Sequence, residues 1–224
     1  MRVTREFAIT STYRSPFERV APGVFTLPGQ SVGRVYVLEG ADGLTLVDTG
    51  LACRSRNLLQ RIERAGRRLR DVRRVLLTHV HSDHLGGLRA LQTNADVEVL
   101  TMAENSIDLQ GQIRTVSDGD VIKELFGGIT VIGTPGHLPG HASFWLPERG
   151  VLFAGDTLAS VGGLGMLPSS LQHDVAQVKR DVQRLAGLAP SSICCGHGPP
   201  ITRDAASRLR AISDALLSRA GHGD

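Results

Sequence analysis

Along this chain, short apolar runs alternate with longer stretches in which apolar side chains recur every three or four positions. Runs at 24–27, 35–38 and 44–47 read as strands. Between the last two, Gly40-Ala41-Asp42-Gly43 reads as a hairpin turn, because glycine and aspartate tolerate left-handed backbone. Leu58, Leu59, Ile62 and Ala65 lie at helical spacing and predict a helix over 53–65, stopped by Gly66. Residues 75–77 predict a fully buried strand. Further strands are expected at 97–100, 129–132, 143–146, 151–154 and 193–195, with an acidic turn at 117–120 and a hairpin connection at 147–150. A helix over 170–186 would carry Leu171, Val175, Val178, Val182 and Leu185 on one side. A last helix over 203–219 would carry Ala205, Leu209, Ile212 and Leu216, with Thr202 as its N-cap. Each helix has a single apolar stripe, so each should cover a sheet. The expected fold is α/β, a four-layer αββα sandwich, with residues 1–224 forming one domain.

Composition narrows the class. The chain has 224 residues, 41% hydrophobic and 21% charged, as in an ordinary globular protein with a sizeable core. No apolar run is long enough to cross a bilayer. The start, Met1-Arg2-Val3-Thr4-Arg5-Glu6, leads into no apolar signal core, which predicts a cytoplasmic protein. Three cysteines make no disulfide framework, and Cys194 and Cys195 read as packing residues of a buried strand. A net charge of +3 and 4% aromatic residues argue against nucleic acid as a partner and leave a small molecule as the expected substrate.

The chemistry is concentrated in four segments. Thr78-His79-Val80-His81-Ser82-Asp83-His84 places three histidines and an aspartate directly after an apolar strand. Neutral imidazole and carboxylate are donors that zinc, iron and manganese accept, and chance clustering of this density is improbable for eight histidines. The second segment is Thr134-Pro135-Gly136-His137-Leu138-Pro139-Gly140-His141, the third Gly155-Asp156-Thr157, and the fourth Cys195-Gly196-His197-Gly198. Each is weaker alone. Together they lie at the ends of expected strands, where loops converge. A dinuclear centre needs about three donors per ion and a bridging carboxylate.

With Leu46-Val47-Asp48-Thr49-Gly50, these segments resemble the metallo-β-lactamase superfamily, in the dinuclear branch that includes glyoxalase II-like thioesterases and lactone hydrolases. The resemblance implies an αββα sandwich and two divalent ions. His79, His81 and His141 would hold one, Asp83, His84 and His197 the other, and Asp156 would bridge them. It assigns His137 to a non-ligand position and Asp48 to a supporting one. Zinc is the favoured metal, with iron or manganese as alternatives. The implied reaction is hydrolysis of an ester, thioester or lactone by a hydroxide shared between the ions, with Asp83 relaying a proton to the leaving group. An iron-dependent oxidoreductase resembling persulfide dioxygenases, or a phosphodiesterase, is the alternative. The chain departs from glyoxalase II in having one helix after His197 and from the lactone hydrolases in having no tyrosine in Thr157-Leu158-Ala159-Ser160. The 162–166 loop either shapes the substrate pocket or is a plain surface loop. His173 is expected on the surface, and His222 is expected to be inert.

Overall fold

The computed structural model describes residues 16–220, and Met1–Glu6 and His222 lie outside them. Seven strands form the first sheet in chain order: β1 (Glu18–Ala21), β2 (Val24–Thr26), β3 (Tyr36–Gly40), β4 (Gly43–Val47), β5 (Val72–Leu76), β6 (Glu98–Met102) and β7 (Gln112–Val116). The β3–β4 pair closes at Gly40 opposite Gly43, so Ala41 and Asp42 make the expected tight turn. Strands β4 to β7 are parallel neighbours and need crossovers. These contain α1 (Ser55–Arg64), α2 (Ser82–Leu85) and α3 (Leu88–Asn94).

The second sheet contains β8 (Val121–Ile122), β9 (Ile129–Gly133), β10 (Ala142–Leu146), β11 (Val151–Ala159) and β12 (Ser192–His197), in the order β12-β11-β10-β9-β8. Two helices, α4 (Val175–Ala186) and α5 (Ala205–Ala220), complete it. Strand alternation distributes the core among three layers. Tyr36, Leu38, Leu76, Phe144, Phe153 and Cys194 meet between the sheets. Val37, Val75 and Leu77 face α1 and α3 through Leu58, Ile62, Leu88 and Leu91. Leu152, Ala154, Ile193 and Cys195 face α4 and α5. This is the expected αββα sandwich. The adjacent cysteines point to opposite faces of β12; both are buried and free.

Several boundaries differ from the sequence expectation. The 170–186 helix begins only at Val175, where the Asp174 side chain accepts the Gln177 N–H as N-cap. Leu171 therefore leaves the apolar stripe and is 57% exposed. The last helix begins at Ala205, so Thr202 is not its cap. Strand β11 runs on to Ala159, which places Asp156 inside a strand and not at its end. Strands β1, β7 and β8 were not anticipated, being short or largely exposed. Among the described residues, no helix is long and apolar enough to cross a membrane.

Phe153 is fully buried and packs edge-on against Tyr36 across the two sheets, with ring centroids 5.5 Å apart. Phe153→Ala is expected to destabilise the fold by about 3–5 kcal/mol, read by denaturant unfolding.

Candidate metal centre

The edge of the sandwich where β4, β5 and β12 end gathers the chemistry-bearing side chains. His79 and His81 follow β5, while Asp83 and His84 lie in the single turn of α2. His137 and His141 come from the β9–β10 connection, Asp156 from within β11, and His197 from the last position of β12. Two groups of donor atoms result. His79, His81, His137 and Asp156 form one, Asp83, His84 and His197 the other, and within each all donor atoms lie within 4.8 Å of one another.

Asp156 connects the groups. Its Oδ2 lies 3.6 Å from His137 Nε2, 3.9 Å from His79 Nε2 and 3.0 Å from His197 Nε2. Its Oδ1 lies 3.3 Å from His84 Nε2. Asp83 Oδ2 is 3.6 Å from His84 Nε2 and 3.5 Å from His197 Nε2. Burial opposes ionisation of Asp156, yet the hydrogen bond from His197 and the close approach of His84 hold it below the usual carboxylate range.

In the second segment the geometry departs from the expectation. His137, assigned to a non-ligand position, enters the first group, and its Nε2 faces His81 Nδ1 at 3.1 Å. His141 is in neither group. Its Nε2 accepts the Asp156 N–H at 3.0 Å, so its Nδ1–H donates to Thr134 Oγ1 at 2.7 Å. Complete burial lowers the His141 pKa to about 3, so its ring is neutral. Both of its nitrogens are thus used within the second sheet, one toward β11 and one toward the end of β9. Spacing could not separate the two histidines. His141 directly precedes β10, whose first amide, Ala142 N–H, donates to Thr78 O, and this fixes its ring in the interior. His137 stays on the loop.

Other hydrogen bonds fix which imidazole nitrogen faces inward. Asp48, with φ 58° in left-handed backbone, accepts the Thr78 N–H and Oγ1–H and the His84 Nδ1–H, the last at 2.7 Å. Thr78 Oγ1 in turn accepts from His79 Nδ1 at 2.9 Å. Gln172 Oε1 accepts from His137 Nδ1 at 3.1 Å. The Nε2 lone pairs of His79, His84 and His137 are left pointing at the cluster. Burial, aided by the neighbouring His84, holds His79 well below the ordinary histidine pKa, and burial lowers His137 too. For His84, burial is outweighed by Asp48 and Asp156, which raise its pKa; the hydrogen bond to Asp156 raises that of His197. Gly196 supplies room, because a Cβ there would collide with Asp156 Oδ1 and the His84 ring.

Two buried atoms of this cluster, His84 Nε2 and Asp156 Oδ1, have no hydrogen-bond partner although they face each other. Three imidazole nitrogens, of His79, His81 and His137, crowd within 3.0–3.1 Å contacts. Unprotonated nitrogens and an unpaired carboxylate oxygen buried together are costly unless a cation is among them, so the donor set fits divalent metal ions. Of the other residues considered above, His173 is exposed and outside both groups.

The fold and this edge cluster define a metallo-β-lactamase-type protein. The sequence profile described as "Metallo-beta-lactamase superfamily" matches residues 28–197, and the chain belongs to that superfamily. It is 29% identical over 205 residues to the uncharacterized protein YobT of Bacillus subtilis, covering 78% of this chain and 86% of that one. It is 35% identical over 158 residues to a hydroxyacylglutathione hydrolase of Rhodospirillum rubrum, covering 66% of this chain. The chain spans 60% of that enzyme's length, and 47% of the Rhodobacter capsulatus one. Among solved structures, a metallo-β-lactamase family protein of Thermus thermophilus superposes with a TM-score of 0.70 at 25% identity, covering 91% of this chain and 82% of its own.

Removing the His141 ring leaves the Asp156 amide unpaired in the interior. His141→Ala is expected to cost about 2–4 kcal/mol of stability in denaturant unfolding. Asp181 of α4 accepts the N–H of Gly136, next to His137, and burial raises its pKa. A raised folded-state pKa gives stability that is present below the unfolded value and lost as pH rises through the folded one. Wild type should therefore lose stability relative to Asp181→Asn as pH rises above the ordinary aspartate pKa, seen by comparing the two Tm–pH profiles.

Proposed function

We propose that this protein is a metal-dependent hydrolase that cleaves an ester, thioester or lactone carbonyl. His79, His81, His137 and Asp156 would hold one divalent ion, and Asp83, His84, His197 and the shared Asp156 the other. The observation that carries this reading is the convergence of two donor groups on one buried carboxylate, with His84 Nε2 and Asp156 Oδ1 unpartnered. Zinc suits this nitrogen and oxygen set, with iron or manganese as alternatives.

Such a pair of ions lowers the pKa of a water toward neutrality and polarises a carbonyl oxygen. The protein's own groups do the rest. Asp48, through Thr78 and directly, keeps His79 and His84 in the required tautomers. Asp83, the more exposed of the two clustered carboxylates, holds the proton lost by the attacking water and delivers it to the leaving sulfur or oxygen as the acyl bond breaks. The hydroxyacylglutathione hydrolase relatives favour a thioester among these substrates.

The test combines metal analysis with a screen of thioester, lactone and phosphodiester substrates. Two divalent ions per chain and carbonyl hydrolysis are expected; one iron per chain without hydrolysis sinks the proposal. His137→Ala and Asp156→Ala should each lower metal content and reduce kcat by at least about a hundredfold. Full metal content and turnover in His137→Ala would return the ligand role to His141.

A further inference from the structure

Few large apolar side chains are exposed among the described residues, and half of those that are lie beside the metal cluster. Val161 is 67% exposed, Leu171 57% and Val32 44%. Val161 follows Ser160, whose N–H donates to His197 O. Leu171 precedes Gln172, whose side chain holds His137. Val32 follows Ser31, whose carbonyl accepts the N–H of Gly198, and two residues later Arg34 N–H donates to Gly196 O. The three therefore stand on separate loops bonded to segments of the cluster, two at the end of β12 and one at His137. Isolated exposed apolar residues are ordinary on a protein surface, but three on loops bonded to one cluster point to an apolar rim.

Charge supports the same conclusion. The loop segments 28–33, 135–141 and 160–172 contain no lysine, arginine, aspartate or glutamate, in a chain where 21% of residues are charged. Arg34, the nearest arginine in sequence to the first loop, is buried, and its two terminal guanidinium nitrogens donate to Thr26 Oγ1 and Gln30 O. These loops offer nothing to neutralise an anionic substituent, and burying one there unpaired would be unfavourable. Desolvating an alkyl chain against Val32, Val161 and Leu171 is favourable.

We propose that the opening of the site selects substrates with an uncharged aliphatic chain, so that the acyl group cleaved is longer than acetyl and carries no carboxylate. This rests on the hydrolase reading above and names the substrate class for it. Position 171 acts in this way because α4 starts late and leaves Leu171 outside the helix's buried stripe.

The test uses the metal-loaded protein and N-acetylcysteamine thioesters with acetyl, butyryl, hexanoyl, octanoyl and succinyl groups. kcat/KM should rise about two- to fourfold per methylene, and the succinyl thioester should fall at least about tenfold below the butyryl one. Val161→Asp and Leu171→Asp should flatten the chain-length slope. A flat series in wild type, or succinyl equal to butyryl, overturns the inference, as does an unchanged slope in both variants. Calorimetric binding of unreactive methyl ketones of the same chain lengths separates the two proposals. Chain-dependent ketone binding without thioester turnover sinks the thioester reaction and keeps the apolar rim, whereas chain-independent binding removes the rim whatever the turnover.

Discussion

Burying a carboxylate costs several kcal/mol unless positive charge and hydrogen bonds meet it, and the buried Asp156 sets that requirement for the whole site. It lies inside β11 with core packing on either side and is almost wholly buried. Everything that surrounds it answers the requirement. His197 and His84 approach its two oxygens, His137 and His79 flank one of them, and Gly196 leaves space for the approach. The unpartnered Asp156 Oδ1 and His84 Nε2 leave a donor set that divalent cations would complete.

The supporting residues divide into two sets that meet at this carboxylate. On the first sheet, Asp48 secures Thr78 and His84, and through Thr78 it secures His79, so one side chain at the end of β4 orients donors of both groups. On the second sheet, His141 donates its Nδ1–H to Thr134 Oγ1, which bonds Ser143, which donates to Ala154 O, while its Nε2 accepts the Asp156 N–H. That chain ties β9, β10 and β11 together behind the metal site. A histidine of the donor cluster and a fully interior one thus sit four residues apart on one connection.

Much was legible in the chain itself. The alternation of apolar runs and one-sided helices led to the αββα layering, because strand alternation and helical periodicity are local properties that survive folding. The dense His79–His84 segment marked the site because its donors are neighbours in sequence. Leu171 was less accessible to such reasoning. It completes a helical stripe on paper, but Asp174 offers a better cap, and the helix gives up its first five expected positions and begins after it.

Sequence by itself determined the donor inventory, the layer architecture and the superfamily to which the chain belongs. Tertiary structure alone decided that His137 joins the cluster while His141 is held by Asp156 N–H and Thr134, that Asp156 reaches both donor groups, and that Val32, Val161 and Leu171 are exposed on loops bonded to the cluster's segments. The physical reason is that ring direction and shared proximity depend on hydrogen bonds across distant strands, such as Asp156 N–H to His141 and Ala142 N–H to Thr78 O, and no local pattern encodes those pairings.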